Sequence, residues 1–274
     1  YAESDGNETF FIRNMRTETG VTVVNPRKLS LRIMVELEVG REKMEDEETA
    51  VGVEADIQIC RKMKNVNFLK LDVSKQDTYR VKESVSLPGT KESIGRMLLS
   101  DLDCRKLDIR IGQDEVYIRG ELLLFCMYLS GEGKTDWIEQ GVPFEGRVPC
   151  EGAAEGMYFH VQHSLEDTLV DTRLDEDGEM RILGVEATLA LRMNLYEEEE
   201  MELLEDLYSL EQECLPVTRE AVYEELLMQN QSRCRLTERL SLPELKDNVL
   251  QIIHSSGSIQ TEQVQNTSEG IRVE

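Results

Sequence analysis

The sequence has few aromatic residues and few positive charges. Aromatic residues make up 5% of its 274 residues, and Trp137 is the one tryptophan. The chain has 31 Lys and Arg against 55 Asp and Glu, which gives a net charge of −24. So negative a chain repels a phosphate backbone, and its basic residues are scattered rather than gathered into a patch. Nucleic acid is therefore excluded as the partner.

Long apolar runs are absent as well. The longest, Leu122 to Leu129, has eight residues, whereas a membrane-spanning helix needs about 18. We therefore expect no membrane insertion. The chain begins with Tyr1 and shows no signal-peptide pattern. We expect it to be a segment excised from a longer protein.

Cysteines are few and widely spaced. The six stand at positions 60, 104, 126, 150, 214 and 234, and no two fall within four residues of each other. This spacing excludes a zinc knuckle and a redox Cys-x-x-Cys pair. A secreted disulfide framework would be denser in a chain of this length. We therefore predict reduced thiols in a cytosol-like compartment.

No motif in the chain indicates catalysis or metal binding. Residues 130–135 imitate the end of a phosphate-binding loop, but the glycine required five residues before Gly133 is Tyr128. Residues 175–179 resemble a calcium loop without its first and last carboxylate ligands. His160 and His163 point to opposite faces of a predicted strand. We predict a non-enzymatic protein with no catalytic residue, cofactor or metal ligand.

Period-two alternation of apolar residues dominates the chain and predicts β-strands. It is clearest at 29–37, 79–87 and 181–195, and strand-like sequence also covers 51–60. Helical spacing occurs after Thr90, where Ile94, Met97 and Leu98 share a face, and again at 197–210. The predicted fold is mainly β (α+β): repeated antiparallel sheet or sandwich modules with one or two short helices each.

Internal repetition divides the chain into modules. Residues 79–88 match 234–243 at an offset of 155, and the apolar positions of 29–37 match those of 187–195 at an offset of 158. We predict the C-terminal part of one module at 1–75, a complete module at 76–228, and the N-terminal part of a third at 229–274.

The complete module resembles the SPOCS domain, a repeated module of SipL-like proteins from endospore-forming Firmicutes. The resemblance rests on a Leu-Pro turn followed by apolar residues, and on three strand motifs. These are Leu87-Pro88 with Ile94, Met97 and Leu98; Tyr117 to Glu121; Met127 to Ser130; and Val142 to Glu145.

The resemblance implies a structural or adaptor role in spore-envelope (coat) assembly. SipL-like proteins carry SPOCS modules followed by a LysM domain and act on the mother-cell, cytoplasmic side of the forespore surface. Their partner is the morphogenetic ATPase at the base of the coat. One alternative is a self-assembling exosporium-type lattice protein that associates through module edges. The other is a carbohydrate- or peptidoglycan-binding module, which the scarcity of aromatic residues disfavours.

Two acidic clusters are the candidate partner-binding sites. Each follows the equivalent long strand of its module, so we expect both to occupy equivalent positions. A basic protein surface is the partner they would attract, and a merely solvated face is the alternative. Their members are Glu197, Glu198, Glu199 and Glu200, and Glu45, Asp46, Glu47 and Glu48.

Overall fold

The computed structural model describes residues 8–43, 48–227, 229, 235, 237–239, 251–257, 264–268 and 270–273. The described residues form ten β-strands and no helix, so the mainly β prediction is confirmed and the predicted short helices are wrong. The strands are β1 (Glu8–Asn25), β2 (Lys28–Lys43), β3 (Cys60–Ser86), β4 (Ile94–Ile111), β5 (Glu115–Ser130), β6 (Thr135–Pro149), β7 (Tyr158–Leu174), β8 (Met180–Tyr208), β9 (Val264–Thr267) and β10 (Gly270–Val273).

The strands form two hairpins and two three-stranded sheets. β1 pairs with β2, and β9 pairs with β10. One larger sheet has the order β4-β5-β6 and the other β3-β8-β7. By its contacts the chain divides into two units, one of residues 1–66 and 201–219 and the other of 67–200 and 220–274.

The core of the second unit lies between the two three-stranded sheets. Successive side chains of a strand point to opposite faces, and the even positions of β5 and the odd positions of β8 are the buried ones. Both sets belong to one apolar cluster, so the sheets pack face to face as a sandwich. The inward residues at most 3% exposed are Val116, Ile118, Leu122, Leu124, Cys126 and Tyr128 on β5, and Leu183, Val185, Ala187, Leu189, Leu191, Met193 and Leu195 on β8. Phe125, 1% exposed, is buried on the opposite side of β5, where its ring stacks on His254.

The helix predicted after Thr90 is instead the start of β4, and two β-bulges explain the error. Register shifts fall between Ile94 and Arg96 and between Met97 and Leu99. Each bulge adds one residue and changes which face the following side chains occupy. Ile94 and Met97 therefore pair with Ser130 and Tyr128 on the inward side of β5, although they are three residues apart. The three-residue spacing that suggested a helix is therefore the spacing of inward residues in a strand that contains bulges.

The helix predicted over 197–210 is the end of β8. Met201 and Leu203 continue the odd-numbered alternation of that strand and are half-buried. The backbone N–H of Leu204 donates to the carbonyl of Ala50 at 2.9 Å, and Lys62 on β3 pairs with Glu205 at 2.8 Å. These partners are distant in sequence, and tertiary pairing of this kind overrides local helix propensity.

Two other predictions concern the ends of modules. The strand expected over 51–60 begins only at Cys60, and residues 48–59 have no regular secondary structure. The module predicted to begin at residue 229 falls largely outside the described residues, so its fold stays a prediction, as do the three domain boundaries.

Candidate interaction surface

The first acidic cluster lies where β8 emerges from the sandwich. Up to Leu195 the odd side chains of β8 are buried, and the β7–β8 ladder ends at the pair Tyr158–Tyr196. Glu197, Glu198 and Glu200 follow directly and are exposed, while Glu199 is partly exposed. We call Glu197–Glu200 the acidic segment. It occupies the part of the strand that β7 does not cover.

Lys70 on the neighbouring strand β3 contacts this segment. Lys70 Nζ lies 2.9 Å from Glu199 Oε1 and 2.9 Å from Asp72 Oδ1. The hydrogen bond to Glu199, followed by that to Asp72, raises the pKa of Lys70 above its ordinary value. Lys70 is thus shared between Glu199 and Asp72.

Two further contacts orient the base of the acidic segment. Tyr158 donates its hydroxyl to Glu198 Oε2 at 3.5 Å, and Ser74 donates to Asn194 Oδ1 at 2.9 Å. Asn194 on β8 contacts Ser74 on β3, whereas Glu199, further along β8, contacts the earlier residue Lys70. The two strands therefore run antiparallel. The surface is thus built on a paired strand whose preceding residues are anchored in the core.

The second cluster is only partly described. Glu45, Asp46 and Glu47 lie outside the described residues, and Glu48 is exposed in a stretch without regular secondary structure. Glu48 belongs to the unit of residues 1–66, whereas Glu197–Glu200 belong to the other unit. The equivalence of the two clusters therefore stays a prediction.

The two sequence motifs that imitate ligand loops are hairpin turns. In residues 130–135 the N–H of Gly133 donates to the carbonyl of Ser130 at 2.9 Å, and Lys134 pairs with Glu132 at 2.6 Å. In residues 175–179 Asp175 Oδ1 accepts the backbone N–H groups of Asp177 and Glu179 at 3.0 and 2.9 Å. Groups of both motifs are therefore engaged in closing the turns.

His160 and His163 both lie on β7, and their cross-strand partners are Asn194 and Leu191. Their separation by three residues in a regular ladder places them on opposite faces of the sheet. Among the described residues no group of three or more His, Cys, Asp or Glu is arranged to hold a metal ion.

The five cysteines within the described part of the chain are all free, and Cys234 lies outside it. Cys126 and Cys150 are buried. Burial raises the pKa of the Cys126 thiol to about 11 and also raises that of Cys150. A thiol held in the protonated form is a poor nucleophile, so these two side chains serve packing.

Sequence reasoning did not detect the polar anchors of the loop between β3 and β4. Arg181 donates to the carbonyls of Lys91 and Pro88 at 2.8 and 3.0 Å. Lys91 in turn pairs with Asp136 and lies 5.5 Å from the centre of the Trp137 ring. Burial would raise the pKa of Asp136, but Lys91 and the backbone N–H of Trp137 outweigh it and lower the pKa. These partners are 45 to 93 residues apart, which no local pattern reveals.

The geometry thus defines a class: an antiparallel β-sandwich domain with an acidic, strand-borne surface at one end of its longest inner strand. The family model described as "SipL, SPOCS domain" matches residues 93–172, from the start of β4 to near the end of β7. This part of the chain is similar to the SPOCS domain of SipL-like proteins. Neither a curated protein nor a solved structure matches it. No helix long and apolar enough to cross a membrane occurs among the described residues.

Proposed function

We propose that this protein is a non-catalytic adaptor of endospore-envelope assembly whose acidic segment, Glu197–Glu200, docks a basic protein surface. The SPOCS match over residues 93–172 carries the first half of this proposal, because that family implies a role in spore-envelope assembly. The resemblance further implies the morphogenetic ATPase of the coat base as partner and the mother-cell side of the forespore as the place of action.

The acidic segment supports the second half. Three exposed glutamates stand together on a paired strand, and the lysine that contacts the neighbouring Glu199 is shared with Asp72. Like charges in such proximity oppose folding, and exposed pairs contribute only about 0–1 kcal/mol each. A basic partner would relieve that repulsion and would be steered to the surface. The segment's other physical role is to keep the uncovered edge of β8 from pairing with foreign strands.

A binding experiment with matched charge changes tests the proposal. The triple variant Glu197→Gln, Glu198→Gln, Glu200→Gln removes the exposed carboxylates and leaves the Glu199–Lys70 pair. The control variant Glu151→Gln, Glu155→Gln, Glu176→Gln removes three exposed carboxylates elsewhere and changes the net charge equally. We expect the first variant to associate with the coat-base ATPase of the same organism about 3- to 10-fold more slowly at low salt. The control should stay near the wild-type rate.

Raising the salt concentration should slow the wild-type association toward that of the first variant, because the Debye length falls below about 10 Å above 0.1 M. Equal rates for the two variants at low salt would exclude the acidic segment as the contact. Absence of any binding by the wild-type protein would reject the adaptor role with this partner. Aggregation of the first variant alone would indicate that the segment protects the edge of β8.

A further inference from the structure

The hairpin of β1 and β2 presents an apolar face. Its cross-strand pairs on that face include Val23 with Leu29 and Val21 with Leu31, and the alternate positions are mainly polar, although Met34 is one of them. In monomeric proteins such long apolar faces are covered, since the largest exposed patch is normally about 300–600 Å². The side chains of the face that are 50–69% exposed are Ile12, Met15, Val21, Val23, Leu29, Leu31, Ile33, Val35, Leu37 and Val39. We call these ten residues the hairpin face.

The same pattern is buried elsewhere in the chain. At the offset of 158 residues, Leu31 corresponds to Leu189 and Leu37 to Leu195, and both of the latter are 0% exposed in the sandwich core. On β8 the apolar positions pack against a second antiparallel sheet. The hairpin face therefore has the residue types and the spacing of a sheet that packs against another sheet, and we expect it to bind one.

Among the described strands, the apolar surface that matches the hairpin face in length is a copy of the hairpin face. The apolar side of β4-β5-β6 is already occupied by β3-β8-β7. The β9–β10 hairpin also exposes Val264, Ile271 and Val273, but its strands have four residues each, against 18 and 16 in β1 and β2. A second copy of the hairpin face has the matching length. Ten aliphatic side chains, each half exposed or more, present on the order of 800 Å², which is the contribution of one partner to a standard interface.

Charge permits this association despite the net −24 of the chain. Residues 8–43 contain seven Lys and Arg against five Glu, so the hairpin alone carries a net charge of +2. Arg32 and Glu36 lie at positions that alternate with those of the hairpin face, so they remain in solvent when two such faces meet. An isolated two-stranded hairpin is also marginally stable in water, and a second hairpin packed on it supplies the missing layer.

We propose that the hairpin face is a self-association surface, through which two copies of the chain form a two-fold symmetric, four-stranded sandwich. A two-fold interface uses the same residues on both copies and closes on itself. This inference is independent of the proposed function, because it uses residues 12–39 and makes no reference to the acidic segment. It concerns how the protein assembles with itself rather than what it docks.

Sedimentation of the full chain over about 0.5–100 µM tests the inference, with adjacent substitutions on opposite faces of β2 as the comparison. We expect the wild-type protein to be a concentration-dependent dimer. Leu31→Lys places a charge in the interface and should weaken dimerisation at least about 100-fold. Ser30→Lys adds the same charge on the polar face and should leave the dimer intact. A monomer throughout, an open-ended series of oligomers, or equal effects of the two substitutions would each overturn the proposal.

Two measurements on the wild-type protein keep the test decisive if Leu31→Lys misfolds. Hydrogen exchange of the β1 and β2 amides should slow as protein concentration rises, and exchange independent of concentration would contradict self-association. Dimerisation should also hold or strengthen with salt, because screening reduces repulsion between two strongly negative chains. Docking at the acidic segment weakens with salt, so failure of one proposal is distinguishable from failure of the other.

Discussion

Truncation of Leu124 to alanine is the most direct test of the sandwich core. Leu124 is 0% exposed on β5 and pairs across the sheet with Leu102 and Gln140. It belongs to the apolar cluster that joins the two three-stranded sheets. Removing a fully buried leucine side chain loses its transfer free energy and leaves a cavity. The expected decrease in the free energy of unfolding is about 2–5 kcal/mol.

Leu123 is the matched control for this substitution. It is the preceding residue of the same strand, faces the other side of the sheet and is only half-buried. Leu123→Ala deletes the same atoms and should decrease the free energy of unfolding by about 1 kcal/mol. Urea titration followed by the fluorescence of Trp137 measures both variants. Trp137 pairs directly with Met127 across the same sheet and reports on the same cooperative unit.

The denaturant slope provides the internal check. If it is unchanged, the shift in midpoint is a change in stability rather than in the surface exposed on unfolding. A loss below about 1 kcal/mol for Leu124→Ala, or an equal loss for the two variants, would show that the even side of β5 does not face a packed core. The assignment of inward and outward faces would then be wrong for the whole sheet.

Two further predictions concern close packing and alkaline pH. Gly146→Ala on β6 should destabilise the protein by about 1–3 kcal/mol, because an added Cβ would collide with the Tyr79 ring. In the control variant Gly141→Ala the added Cβ meets mainly the movable carboxylate end of Glu121, so the loss of stability should be smaller. Equal decreases in the melting temperature of the two variants would refute this. Burial, then the negative charge of Asp136, raises the pKa of Tyr128 from 10.0 to about 12. The unfolded chain therefore loses this proton first, and stability should fall as the pH rises from 10 to 12. In the Tyr128→Phe variant the urea midpoint should fall less steeply between pH 10 and pH 12 than in the wild-type protein. An equally steep fall in both proteins would contradict this prediction.

Much of the β architecture could be predicted from alternation alone. The strand through 29–37, the strand through 181–195 and the turns at 130–133 and 175–178 all lie where the pattern placed them. The predicted helices failed for two physical reasons. In β4 two bulges shifted the alternation by one residue each, and in β8 the pairing partners of 203–208 lie far away in sequence. Local periodicity contains neither kind of information.

For the acidic segment too, some properties could be predicted from the local sequence, and others depend on contacts with distant residues. Its charge is evident in four consecutive glutamates, and its position after a long strand could be inferred from the repeat. Its pairing could not, because the lysine that contacts Glu199 lies 129 residues earlier in the chain. The end of the β7–β8 ladder at Tyr196 likewise depends on where β7 begins. Those two facts decide that Glu197, Glu198 and Glu200, rather than Glu199, face solvent most freely.

Leu31 and Leu189 show why burial itself is the hardest property to predict. Both stand in the middle of the same apolar alternation, 158 residues apart, and both occupy a paired strand. Leu31 is 61% exposed and Leu189 is 0% exposed. The alternation specifies that one face of a strand is apolar, but the covering sheet is a separate set of residues. For Leu189 that sheet is β4-β5-β6, whereas for Leu31 it must come from outside the hairpin. A pattern that predicts a core in one place therefore predicts an interface in the other.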